Sequence, residues 1–235
     1  PTATSFEAGA LNVLSGGELT GDGEVVITAF SGPGLLTTAS LRLIDWDGMS
    51  VPNYAGSIIF EASSDATGDI TPTLSGAYDW TGLQLVCSGS ADLVIDCANV
   101  TAIAVSGNVA KSEADTGKVR FRNSDDAQIL LDGTGNQVIG LGLSVWGGDH
   151  IVPPIEVTNT AGTVVFTEHV WTTELTVDDD AIVVGSEKVH VIPDDCPNGG
   201  HTAAGVVRTP GSVAGAVRVP GIVVGEIRTP GTAAA

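Results

Sequence analysis

Residues 81–108 read TGLQLVCSGSADLVIDCANVTAIAVSGN, and residues 118–145 read KVRFRNSDDAQILLDGTGNQVIGLGLSV. In both, apolar runs of three to five residues are separated by short turns that carry Asn99, Asn108, Asn123 and Asn136. Runs this short, rich in Val and Ile and closed by Gly, Asn and Asp, are strand signals. Within the second stretch, Lys118-Val119-Arg120-Phe121-Arg122 alternates charged and apolar side chains. That period of two predicts a strand with one wet face.

The same signals extend to both ends of the chain. Strands are expected at Glu24–Phe30, Leu41–Ile44 and Ser57–Phe60, and again at Thr163–Phe166, Glu174–Val177, Ile182–Val184 and Lys188–Ile192. The longest run without Gly or Pro, residues 163–184, reads TVVFTEHVWTTELTVDDDAIVV. Its density of β-branched residues favours a pleated surface over a helix. The expected fold class is therefore all-β, with a body that is either β-helix-like or a β-sandwich, because both architectures produce strands at this spacing.

Composition narrows the classes of function. The 235 residues include 9 Lys+Arg and 28 Asp+Glu, a net charge of −19, and 43% are hydrophobic. That is apolar enough for a packed core and too acidic for a chain that grips nucleic acid, which needs Lys and Arg against phosphate. No apolar stretch approaches the roughly 20 residues of a membrane-spanning helix, so no membrane partner is expected. The N-terminus shows no basic, apolar, small-residue leader pattern, which implies synthesis in the cytoplasm. Cys87, Cys97 and Cys196 are too few and too scattered for a disulfide framework or a CxxC metal site. Cys87 and Cys97 end apolar runs and read as small buried hydrophobes.

The clearest repeat lies at the C-terminus. Val207-Arg208-Thr209-Pro210-Gly211, Val217-Arg218-Val219-Pro220-Gly221 and Ile227-Arg228-Thr229-Pro230-Gly231 recur every ten residues, with Gly205, Gly215 and Gly225 in step. Pro at this interval removes a backbone donor and fixes φ, and Gly after it permits a turn, which excludes a helix or a central strand. An extended arm is expected, reaching at most about 33 Å per repeat. Residues 201–235 hold Arg208, Arg218 and Arg228 against Glu226 alone, a net of +2, leaving −21 for the other 200 residues. Arg presents a planar donor fork suited to carboxylates. Arg208, Pro210, Arg218, Pro220, Arg228 and Pro230 are accordingly the candidate partner-binding residues, facing an acidic surface of this body or of a neighbouring copy. The chain divides on these grounds into an N-terminal β region (1–75), a β body (76–200) and the arm (201–235).

Catalytic signals are sparse. His150, His169, His190 and His201 are scattered, with no HExxH and no GxSxG. Acid pairs occur at Asp45 and Asp47, at Asp125 and Asp126, at Asp178 to Asp180, and at Asp194 and Asp195. Adjacent strand residues point to opposite faces, so these pairs read as solvated turns, not as glycosidase carboxylates. No EF-hand or nonapeptide calcium repeat is present. No catalytic residue, cofactor or metal ligand is assigned, and an enzyme is not expected. Trp46, Trp80, Trp146 and Trp171 would supply stacking platforms if a carbohydrate groove existed, or would fill core volume if not.

The stretch from Tyr78 to Trp146 resembles rungs of the right-handed β-helix of pectate-lyase-like and phage-tailspike proteins, although it shows no fixed repeat length. The whole chain, all-β, acidic, poor in Lys and Cys and ending in a repeated arm, is similar in style to structural proteins of tailed-bacteriophage virions. Capsid decoration (cement) proteins and head or tail fibre subunits are the nearest types. The resemblance implies a non-enzymatic subunit located in the virion and made in the host cytoplasm. It implies partners that are other copies of the chain, as a homotrimer, and a major capsid or tail protein. The alternative is a carbohydrate-binding or polysaccharide-cleaving β-helix protein.

Overall fold

The computed structural model describes residues 5–32, 35–52, 54–114, 116–123, 127–142, 151–191 and 207–208. Among them no α-helix occurs, and one 3-10 turn spans Ser186–Lys188. The strands in chain order begin with β1 (Phe6–Asn12), β2 (Glu18–Ser31), β3 (Leu35–Ile44), β4 (Ser57–Ala62), β5 (Gly76–Trp80) and β6 (Gly82–Cys87). Next come β7 (Leu93–Asp96), β8 (Val100–Val105), β9 (Val109–Glu113), β10 (Val119–Arg122), β11 (Ile129–Leu131), β12 (Gln137–Gly140) and β13 (Ile155–Val157). The series ends with β14 (Thr163–Phe166), β15 (Val170–Thr172), β16 (Leu175–Val177), β17 (Ile182–Val184), β18 (Val189–Val191) and β19 (Val207–Arg208).

Every strand pairing among the described residues is parallel, and none is a hairpin. One sheet runs β1-β2-β3-β4-β6-β9-β12-β14-β17 and a second runs β19-β16-β13-β11-β8-β5. Two short sheets, β10-β7 and β15-β18, complete the set. From β6 onward the chain visits the long sheet, a short sheet and the second sheet in turn, except that no described short-sheet strand lies between β12 and β13, where Val152 makes a single bridge to Thr172. A parallel neighbour must lie a full circuit away, because a tight turn can only join antiparallel strands. The register shows that circuit. Tyr78 pairs with Ile103, Ile103 with Ile129, Ile129 with Ile155 and Ile155 with Leu175, steps of 25, 26, 26 and 20 residues.

Pairing in register stacks like upon like. In the long sheet Val25, Leu41, Ile58, Leu83, Val109, Ile139 and Phe166 form one continuous inward row, each at most 4% exposed. In the second sheet Trp80, Val105, Leu131, Val157 and Val177 form another. Burying each such side chain contributes about 1.5–3 kcal/mol. β4 pairs with β6 across residues 75 and 76, and one apolar core runs from Val13 to Val191. β9 departs from the apolar pattern. Lys111 and Glu113 fall in register with Leu85 and Cys87, and their side chains, 6% and 9% exposed, pair at 3.1 Å.

The corners are held by side-chain acceptors that catch a backbone N–H from the next circuit. Asn108 Oδ1 accepts from Val138 N at 2.8 Å, Asn136 Oδ1 from Thr163 N at 3.0 Å and Asp92 Oδ1 from Lys118 N at 2.7 Å. Asp45 and Asn123 sit in the left-handed region at φ 50° and 54°, and each is tied down by its side chain. Asp45 accepts from Ser63 N at 2.8 Å, and Asn123 Nδ2 donates to Asp96 Oδ1 at 2.8 Å. At Gly107 and Gly133 a Cβ would run into the carbonyl oxygens of Thr81 and Ser106 on the preceding circuit, so close stacking demands Gly there.

One buried amide pair links three circuits. Gln137 (0% exposed) donates from Nε2 to Val105 O at 2.7 Å and Gly107 O at 2.9 Å. Asn159 (1% exposed) donates from Nδ2 to Gln137 Oε1 at 2.8 Å and to Gly135 O at 2.7 Å, while its Oδ1 accepts from Gly162 N at 2.9 Å. Removing either amide strands buried partners, which costs about 1–3 kcal/mol for each group left unpaired. Asn159→Ala should therefore destabilise the protein by about 2–4 kcal/mol in a urea titration. Gln137→Ala combined with Asn159→Ala should cost clearly less than the sum of the two, because the pair acts as one network. Strict additivity would show that the two amides act independently.

Candidate functional site

The first C-terminal repeat meets the body at the end of the second sheet. Leu175 is buried and Thr176 half-buried, so β16 turns one residue in and the next out. β19 pairs with it in parallel, placing Val207 in register with Leu175 and Arg208 in register with Thr176. Of the six expected partner-binding residues, only Arg208 is described; Pro210, Arg218, Pro220, Arg228 and Pro230 lie outside the described residues. The place where the repeat docks could not be found from the sequence, because Arg208 follows Thr176 by 32 residues where the steps quoted for that sheet are 20 to 26.

At the same end of the molecule the long sheet terminates in β17. Ile182 and Val184 are 53% and 43% exposed, and no described strand pairs with the outer edge of β17. Val184 continues an outward row through Val165 and Val138, the last also 43% exposed. The exposed acids Asp178, Asp179 and Asp180 enter β17 and exposed Glu187 follows it. This corner is thus apolar on its face and acidic where the chain enters β17, while Glu187 beyond it is followed by Lys188.

The acids named from the sequence separate into two kinds. Asp45 and Asp47 are working acceptors, Asp47 taking Thr71 N at 3.0 Å, so the solvated-turn reading is incomplete for them. Asp178 to Asp180 fit that reading, and Asp125, Asp126, Asp194 and Asp195 lie outside the described residues. A different carboxylate pair spans circuits: burial and then the charge of Asp79 raise the pKa of Asp132 above the usual carboxylate value. Asp79 also borders a groove of about 560 Å³ on the outer face of the second sheet, with Tyr54 and Tyr78 beside a floor of Ala77, Ala102 and Ala104. Sequence spacing hid this pair, since its members are 53 residues apart.

The described tryptophans do not line that groove. Trp46 and Trp80 are 1% exposed, filling core volume, and Trp80 meets the Phe60 ring edge-on at 5.9 Å. Trp171 is half-buried and stacks on His190 at 4.1 Å, and His190 in turn meets His169 through a 2.7 Å contact between Nε2 and Nδ1. Trp146, His150 and His201 lie outside the described residues. No group of three or more His, Cys, Asp or Glu among the described residues is arranged to hold a metal ion.

Cys87 and Cys97 are free and buried, and burial pushes their thiols up to about 11 and about 12. A thiol attacks only as thiolate, so both are inert in the fold. No protein-family model, no curated protein and no solved structure matches the chain. With Cys196→Ser in place, the folded protein should show no thiol that reacts within minutes with a disulfide reagent at about pH 8, and both should react after unfolding. A fast-reacting thiol in the folded variant would mean that the segment carrying Cys87 and Cys97 opens readily.

Proposed function

We propose that this chain is a non-enzymatic structural protein of a tailed-phage virion, a capsid decoration or fibre subunit that assembles through its C-terminal repeats. Its body is read as a β-helix: parallel strands, a recurring order of sheets and neighbours a full circuit apart are what stacked circuits produce. The observation that carries the reading is the pairing of Val207 and Arg208 with β16, which gives the repeat a strand-like docking mode on an acidic body. Charge supports it, since residues 201–235 carry +2 and the remainder −21. Three copies of one docking unit let weak contacts add through multivalency. Strong negative charge keeps such subunits soluble at high local concentration and away from DNA. A closed homotrimer built from other copies, and contact with a major capsid or tail protein, complete the proposal.

A second reading rests on the groove bordered by Tyr78 and Asp79. Its open floor of alanines, with Asp79 at the rim and Asp132 within reach of its charge, would suit a carbohydrate chain, bound or cleaved. A positive glycan array, or reducing ends released from a polysaccharide and lost in Asp79→Asn, would favour that reading over the structural one.

Deleting residues 201–235 should leave a body with a β-type circular dichroism spectrum that sediments as a single chain, whereas the full chain sediments as an oligomer. A truncated body that assembles as the full chain does would remove the repeats from the assembly.

A further inference from the structure

The open edge of β17 has the properties of a receptor for the repeat that β16 already accepts. We propose that β17 is the docking strand for a C-terminal repeat of a second copy, either Val217-Arg218 or Ile227-Arg228, added in parallel as an extra strand. This rests on the assembly role proposed above and names its surface.

Three observations converge. The first is precedent: at this end of the molecule a Val-Arg dipeptide pairs in parallel with a three-residue edge strand, Val in register with a buried residue and Arg with an outward one. The same register on β17 sets the Val or Ile beside Val183, 1% exposed, and the Arg beside Val184. The second is the surface itself. Ile182 and Val184 are two of only five large apolar side chains exposed among the described residues, and the aliphatic stem of Arg covers such surface well. The third is charge: Asp178 to Asp180 lead into β17, with Glu187 and Lys188 offsetting each other beyond it, while each repeat brings one Arg and only the third brings an acid, Glu226. Main-chain pairing supplies affinity and the alternating side chains supply register, the logic of strand addition at a sheet edge.

A second copy is the occupant because each chain carries three equivalent docking units and its own β16 uses one. The remaining two are surplus to that edge. An arm passed from each copy to the next is a heterologous contact, which closes into a ring when the rotation permits.

The test uses full-length chains. Ile182→Lys with Val184→Lys places two cations where an Arg is expected to dock, at outward positions that leave the core intact. The wild type should be oligomeric by native mass measurement, and this variant should fall to the 23.7 kDa single chain while keeping its thermal midpoint. Arg218→Glu with Arg228→Glu should do the same. In a Cys196→Ser background, mixing chains that carry Val184→Cys with chains that carry Arg218→Cys or Arg228→Cys should yield a disulfide-linked species of twice the mass. If the glutamate variant dissociates and the lysine variant does not, the repeats act elsewhere and β17 is not their receptor. If both cysteines placed in one chain close only within that chain, the repeat docks on its own body and the proposal falls. If neither variant dissociates, or the wild type is a single chain, the assembly role itself is wrong.

Discussion

Everything in this molecule depends on parallel strands being stacked in register. A parallel pair cannot be made locally, so each ladder closes a loop of 16 to 32 residues before any contact is gained. The entropic cost of that closure grows only slowly with loop length. It is offset because one circuit brings its inward residues onto those of the previous circuit in all sheets at once. The row from Val25 to Phe166 and the row from Trp80 to Val177 result from that coincidence. Large side chains fall on large side chains, and the interior fills without helices.

Stacking in register also sets what the corners must be. Where a strand ends, backbone N–H groups would lose their partners, so Asn108, Asn136, Asp45 and Asp92 extend the ladder through their side chains. Acidity and architecture are connected in this way: part of the negative charge is hydrogen-bonding structure. Outward-facing pairs do similar work, with Arg42 held at 2.6 Å from Glu61 and Arg122 at 2.8 Å from Asp96, each joining neighbouring circuits. The Gln137–Asn159 pair performs the same service inside the core, where an unpaired amide would be costly.

A stack of this kind leaves two open ends, and edges invite pairing. β1 presents one end, with Phe6 and nearby Leu14 exposed, and β16 and β17 present the other. The chain covers β16 with its own first repeat. An end that accepts a strand from its own tail is chemically prepared to accept the same strand from elsewhere, and this ties the fold to the proposed mode of assembly. In the second sheet the step falls from 26 to 20 residues at β16 and then lengthens to 32 before the repeat pairs with it.

The strands themselves were legible in the sequence, because alternation and turn residues are local. Val119 and Phe121 point inward and Arg120 and Arg122 outward, as period two demanded, and the run 163–184 became β14 to β17 without a helix. β1 (FEAGALN), β5 (GAYDW), β9 (VAKSE) and β13 (IEV) were not expected: the first three have few β-branched residues and the last is three residues long, so their pairing is imposed by the neighbouring circuits. Burial of Cys87 and Cys97 and the basic, ten-residue repeat were likewise readable. Only the tertiary structure decided which strand lies on which, that Asp79 and Asp132 share a field, that His169 meets His190, and where the first repeat docks. The reason is physical: corners of unequal length change the number of residues per circuit while the inward rows stay aligned. The sequence therefore carries the chemistry of each strand but no fixed period from which its neighbours could be counted.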